Sequence, residues 1–338
     1  MLSWEIMRNV EEVITLEEFE NALKGNPKGY VGLEPSGRVH LGTGLIIGNK
    51  VKDLMDNGVD MIVFLADWHA MINDKFGGDI EKIRLAGEYM KGVFSALGIR
   101  PRYIWADELV SKKEYWEKVI RVAKKTTLKR VKRAMTIMGR KEDEAELDSS
   151  KIIYPFMQVS DIFDMELDIA LGGMDQRHAH MLARDLADKL GYKKPVAIHT
   201  VLLASLKGAG RMDPAEAKMS KSKEGSAIFV EDTEDDIRRK MKKAFCPPEI
   251  EGNPVLQIAK HVLFAYYIEK LVIPRPEKWG GDLVINSYEE LEKIYGEGEL
   301  HPMDLKNAVA NELIRILKPI RDYIEKNDDI PRALGWIK

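Results

Sequence analysis

The sequence predicts an α/β fold, a doubly wound parallel sheet carrying a helical insertion, followed by a smaller, mainly helical C-terminal domain. Three observations predict it. Short apolar runs of strand length alternate with amphipathic stretches, the pattern of a parallel sheet covered by helices. The first run ends in a glycine- and proline-bearing turn, and from residue 256 onward the text becomes mostly helical. With 338 residues, 45% of them hydrophobic, the chain suffices for roughly two packed domains.

The first strand is "GYVGL" (29–33), running into "EPSG". The next stretch, "HLGTGLIIGNKVKDLMDNG", puts Ile47, Val51, Leu54 and Met55 on one helical stripe and stops at Gly58, a C′ residue. Then come "DMIVFLAD" (60–67), "RYIWAD" (102–107), "LDIALGG" (167–173) and "PVAIHTVLL" (195–203), separated by helical text. The expectation is about five parallel strands in a Rossmann-like sheet, with the insertion at about 109–150. Beyond "SAIFVEDTEDDIRRKM" the period changes, and Thr233 with Asp236 three residues on reads as a helix cap. The expected division is a Rossmann-like domain over 1–204, a loop and linker over 205–230, and a helical domain over 231–338.

Composition narrows the function classes. One cysteine, Cys246, excludes an intramolecular disulfide and a cysteine-based zinc site. The 52 Lys and Arg against 55 Asp and Glu give a net charge of −3, so a polyanion must meet a local basic patch. The N-terminus lacks the apolar core of a secretory signal, and no uncharged apolar run approaches ~18 residues. A soluble, cytoplasmic protein without membrane or DNA partner is expected.

Two segments carry chemistry. In "EPSGRVHLGTG" (34–44), Gly37, Gly42 and Gly44 open the backbone to close approach, and the following helix offers free N–H groups to phosphate. Ser36 and His40 add side-chain donors. The segment is neither a Walker loop nor a G-x-G-x-x-G fingerprint. "AKMSKSKEGS" (217–226) reads, on its residues alone, either as a solvated linker or as a loop whose Lys218 and Lys221 hold a polyphosphate.

Together, His40-Leu41-Gly42-Thr43 and Lys218-Met219-Ser220-Lys221-Ser222 resemble the paired signatures of class I aminoacyl-tRNA synthetases, the second matching at all five positions. The resemblance implies that ATP, with its Mg2+, binds through Ser36, Gly42, Thr43, Met219, Ser220 and Ser222, and that His40, Lys218 and Lys221 stabilise charge on departing pyrophosphate. Thr43 departs from the usual histidine or asparagine; a hydroxyl is shorter and a weaker donor, which shifts weight to His40.

"IIYPFMQVSDIFDM" (152–165) and "LGGMDQRHAHMLARD" (171–185) resemble the tyrosyl-tRNA synthetases of archaeal and eukaryotic type over nearly the whole chain. By that resemblance Tyr154, Gln158 and Gln176 bind the amino end of tyrosine, Tyr30 and Asp161 the phenolic hydroxyl, and Gly173 and Asp175 the ribose of ATP. Independently, Tyr154, Gln158 and Asp161 are spaced four and three apart and share one helix face. Leu65 of "LADWHA" (65–70) is expected to line the same pocket, while His69 fits a satisfied core histidine equally well.

Two regions are expected to meet tRNA. "KKTTLKRVKR" (124–133) has a basic face beside an apolar stripe of Leu128, Val131, Met135 and Met138. The resemblance makes this insertion the element that forms a homodimer and grips the acceptor stem, with Lys129, Arg130 and Arg177 in contact. "RPEKWGGD" (275–282) and "HPMDLKNAVANEL" (301–313) resemble the family's anticodon-reading part, with His301 there, Trp279 stacking on a base and Asp304 accepting from its edge. A tryptophanyl-tRNA synthetase, a small nucleotidylyltransferase and an inactive RNA-binding relative are the alternatives.

Overall fold

The computed structural model describes residues 2–135, 148–208, 218–219 and 225–336, with Trp279 described by its backbone alone. The chain forms two compact units, one of Met1–Gly37, Lys50–Val201 and Asp329–Lys338, the other of Arg38–Asn49 and Leu202–Asp328.

The first unit is built on a six-stranded sheet in the order β1-β6-β5-β2-β3-β4. Its strands are β1 (Val10–Ile14), β2 (Lys28–Leu33), β3 (Asp60–Leu65), β4 (Arg102–Trp105), β5 (Ile169–Gly173) and β6 (Val196–Thr200). β2 to β6 are parallel, as expected; β1 runs antiparallel along β6. This extra edge strand is absent from the reading of the sequence because "VEEVI" shows no alternation, and charged residues commonly blunt edges. β3 and β4 also stop two residues earlier than read, since the helices Asp67–Ile72 and Ala106–Val110 start there.

Because β2 lies between β5 and β3, the direction of winding reverses at β2. The carboxyl ends of β2 and β5 therefore bound the crevice in which open α/β sheets bind ligands. The helix Gly48–Asp56 ends as its sequence predicts: Gly58 has φ 84°, with Val59 N donating to Leu54 O and Gly58 N to Met55 O, both at 3.0 Å. In the insertion, helices Lys113–Lys124 and Leu128–Met135 pack on helix Ser150–Asp164. Val131 and Met135 are buried, but Leu128 is 73% exposed and leaves the predicted stripe; it is the first residue of its helix, and Ala134 takes an inward place. Met138 lies outside the described residues.

The second unit contains helices Glu234–Lys243, Tyr288–Gly296 and Pro302–Lys326. Thr233 caps the first, accepting from Asp236 N at 3.1 Å. A hairpin of β7 (Leu271–Ile273) and β8 (Leu283–Ile285) was not legible as such: each strand is an apolar triplet too short for periodicity, burying Leu271, Ile273 and Ile285. A Cβ on Gly44 would lie 2.7 Å from Val230 Cγ1 and 3.2 Å from Val39 Cγ1. Both valines are fully buried and, being β-branched, stiff. Gly44→Ala is expected to destabilise by about 1–3 kcal/mol, more than the roughly 1 kcal/mol that alanine adds in helix propensity. A thermal midpoint at or above the parent's contradicts this.

Candidate active site

In the first unit, Tyr30 of β2 and Leu65 of β3 are fully buried, and helix Ser150–Asp164 carries Tyr154, Gln158 and Asp161 along one face. Asp161 is 1% exposed. Its Oδ1 accepts from the Tyr115 hydroxyl at 2.8 Å, and its Oδ2 lies 3.0 Å from Nε2 of His69. The contact lies off the angle of a hydrogen bond, since neither ring nitrogen of His69 has a hydrogen-bond partner among the described residues, and it is an ion pair when the ring is protonated. Burial pushes the His69 imidazole down, but the carboxylates of Asp161, Glu34 and Asp67 outweigh it and hold the imidazole above its ordinary range.

At the other end, the Tyr154 hydroxyl donates to Glu34 Oε1 at 2.6 Å. Asn73 Nδ2 donates to both Glu34 oxygens, at 3.1 and 3.2 Å, and Lys75 Nζ stands 3.6 Å away. Gln158 Nε2 donates to Gln176 Oε1 at 3.2 Å. Gln176 and Asp175 form the turn after Gly173, the last residue of β5. A Cβ on Gly172 would meet Gln176 Cβ at 2.9 Å and His180 Cε1 at 3.0 Å, so only glycine allows this approach.

Buried polar atoms are rarely left unpaired. Here the Tyr30 hydroxyl, Gln158 Oε1 and both ring nitrogens of His69 lack hydrogen-bond partners among the described residues. Burial pushes the Tyr30 hydroxyl well up, so it stays a donor at neutral pH. Such a set of donors and acceptors around an ionic carboxylate suits a polar ligand with two distinct ends.

A further cluster was not legible in the sequence. His180 Nδ1 lies 3.1 Å from His199 Nε2, and His199 Nδ1 lies 2.9 Å from Glu12 Oε2, which also takes Nε of Arg177 at 2.8 Å. Burial lowers His180 to about 3, so it is neutral. The partners of Glu12 are 165 and 187 residues away, beyond any local signal. Glu34, Tyr115 and Asn73 escaped notice for the same reason. Arg177 is thus placed on Glu12, and Arg130 on Asp185 at 2.6 Å, while Lys129 is exposed.

In the second unit, His40 is held by a short antiparallel ladder: Leu41 N donates to Ile228 O at 3.1 Å and Val230 N to Val39 O at 2.9 Å, with His40 opposite Phe229. Arg38 staples the ladder by donating to Glu231 at 2.5 Å and Asp232 at 3.0 Å. Gly42 N donates to His40 Nδ1 at 3.1 Å, which puts the proton of the neutral ring on Nε2. Thr43 and Gly42 open the helical turn Gly42–Ile47, both half-buried. Lys218 stands opposite Ala204, and Met219, 4% exposed, donates its N–H to Leu203 O at 2.7 Å. Ser220, Lys221 and Ser222 lie outside the described residues. Ser36, in the first unit, lies in the loop after β2.

His301 caps helix Pro302–Lys326, its Nδ1 accepting from Met303 N at 3.1 Å; Asp304 is a first-turn acid of the same helix. Trp279 closes the turn Glu277–Trp279.

The sheet, its switch point and the two motifs define a class I aminoacyl-tRNA synthetase, and residues 22–318 match the family model described as tRNA synthetases class I (W and Y). The chain is 54% identical to the tyrosine–tRNA ligase of Aeropyrum pernix, with 98% of this chain and 95% of that protein covered. It is 52% identical to the tyrosine–tRNA ligase of Picrophilus torridus, covering 94% and 97%. A crystal structure of tyrosyl-tRNA synthetase complexed with L-tyrosine from Pyrococcus horikoshii matches with a TM-score of 0.92 at 40% identity, over 98% of this chain and 99% of that one. The chain belongs to the tyrosyl-tRNA synthetases of archaeal and eukaryotic type.

Proposed function

We infer that the chain is a tyrosine–tRNA ligase, which joins tyrosine to ATP as tyrosyl-adenylate and then transfers tyrosine to the 3′ end of its tRNA. The observation that carries this reading is the end of the pocket where Asp161, an acceptor, accompanies a Tyr30 hydroxyl with no acceptor among the described residues. A phenolic hydroxyl donates to the first and accepts from the second. Tyr154, Gln158 and Gln176, with Glu34, take the ammonium group, which leaves the substrate carboxylate free to attack the α-phosphate. The bond from the α-phosphorus to the bridging oxygen breaks and pyrophosphate leaves. No general base is needed, because the nucleophile is already an anion; the protein's part is orientation and charge.

Gly173 and Asp175 hold the ribose of ATP in this reading, and Ser36, His40, Gly42, Thr43, Met219, Ser220 and Ser222 its remaining contacts. Mg2+ enters on the ATP phosphates; among the described residues no group of three or more His, Cys, Asp or Glu is placed to hold a metal ion. Residues 1–204 perform the chemistry with the lysines of 205–230. Residues 231–338 read the anticodon, through Trp279, His301 and Asp304. Lys129, Arg130 and Arg177 meet the acceptor end, the two arginines exchanging a carboxylate for phosphate. Ile120 and Leu128, 59% and 73% exposed on the insertion helices, support a homodimer. No helix among the described residues is long and apolar enough to cross a membrane, and we place the reaction in the cytoplasm. Pyrophosphate exchange with each of the twenty amino acids separately is the test. Tyrosine alone should support it, and exchange driven by tryptophan, or by none, refutes the reading.

A further inference from the structure

We propose that His69 is a positioning residue that sets specificity: paired with Asp161, it keeps that carboxylate a charged acceptor for the phenolic hydroxyl. The inference rests on the reading of this pocket as a tyrosine site. Of the two side chains that contact the Asp161 carboxylate among the described residues, Tyr115 is a neutral phenol, so the positive charge facing this 1%-exposed group there is that of His69, 3.0 Å away. A charge removed from water persists only beside a fixed opposite charge.

Two arrangements of the proton suit the pair, imidazolium with carboxylate or neutral imidazole with carboxylic acid. They present different chemistry: the carboxylate only accepts, whereas the acid also donates. The groups around His69 decide between them. Asp161 and the neutral Tyr154 face it from helix Ser150–Asp164, Glu34 from the segment after β2, Asp67 from its own helix, and Phe64 from β3. The acidic groups outweigh burial and favour the imidazolium. Tyr154 and Phe64 meet the ring edge-on, at 5.0 and 6.0 Å between centroids, and fix its plane. Asp161 is then purely an acceptor, and Tyr30 supplies the donor. A phenol matches both; an indole N–H only donates, and a bare phenyl ring does neither.

The test is pyrophosphate exchange with tyrosine and phenylalanine across pH, on wild type, His69→Leu, His69→Gln and Asp161→Asn. In His69→Leu, kcat/KM for tyrosine should fall about 10²-fold at pH 7, through KM, while phenylalanine hardly changes. Without a ring proton to lose, the variant's tyrosine activity should lack any alkaline decline that depends on that proton. Wild type should instead decline on the alkaline side, where the imidazolium loses its proton. His69→Gln, a neutral donor, should restore part of KM but still lack the alkaline decline. Wild-type pH profiles and Tyr/Phe ratios in both His69 variants overturn the proposal. If only Asp161→Asn collapses the ratio, this inference fails alone; if Asp161→Asn leaves it intact, the reading of the pocket fails. Should the variants not fold, the nitrogen NMR signals of His69 in the wild type decide: a doubly protonated ring at pH 7 supports the proposal and a neutral tautomer overturns it.

Discussion

Asp161→Ala is expected to collapse the preference for tyrosine over phenylalanine, which is about 10⁵ for tyrosyl-tRNA synthetases as a class, a figure not obtained from this geometry. A ratio of that size corresponds to roughly 7 kcal/mol. It arises because a site built around a hydroxyl leaves its own polar groups buried and unpaired when the hydroxyl is missing. Here those groups are the Asp161 carboxylate and the Tyr30 hydroxyl, both about 1% exposed. Removing Asp161 takes away one side of the mismatch that penalises phenylalanine and the main partner that rewards tyrosine. The same change strands the His69 cation and the Tyr115 hydroxyl, and breaking a buried pair costs about 3–5 kcal/mol of stability. Exchange rates should therefore be taken well below the unfolding transition of the variant. A ratio of kcat/KM values preserved in the variant would remove Asp161 from the phenol site.

Lys218→Ala is expected to slow adenylate formation about 10²–10³-fold, the usual effect of losing one preorganised donor to a developing anion. Tyrosine affinity should stay nearly unchanged, because the lysine is assigned to the departing pyrophosphate and not to the amino acid. The backbone at this point is fixed by Met219, whose side chain is buried and whose N–H is bonded to Leu203 O at 2.7 Å. An anchored backbone lets a flexible side chain act from a set origin, and electrostatics is most of what phosphoryl chemistry requires of a protein. Lys221→Ala should behave alike, and Lys218→Arg should retain part of the rate because it keeps the charge. Single-turnover activation measured by rapid quench is the appropriate assay. A wild-type rate in Lys218→Ala, or an equal loss in tyrosine binding, contradicts the assignment.

Much of the architecture was legible because it is local. The four strands after "GYVGL", the Gly58 stop and the Thr233 cap depend on backbone geometry within a few residues, which residue type and spacing encode directly. The shared face of Tyr154, Gln158 and Asp161 was legible for the same reason. β1 was not, since its charges find partners only once β6 and helix Arg177–Leu190 lie beside it. Nor was the hairpin β7–β8, whose strands are too short for any period to show.

The sequence by itself determined the class of chemistry: the His40 corner and the lysine motif need only their own order to be recognised. It also determined which helix face is polar. What that face does was decided by the tertiary structure. Asp161 becomes a usable acceptor through Tyr115 and His69, the former 46 residues away, and Tyr154 is oriented by Glu34 at a separation of 120. A side chain's charge state and aim depend on the groups that replace water around it, and folding brings those groups together from distant parts of the chain.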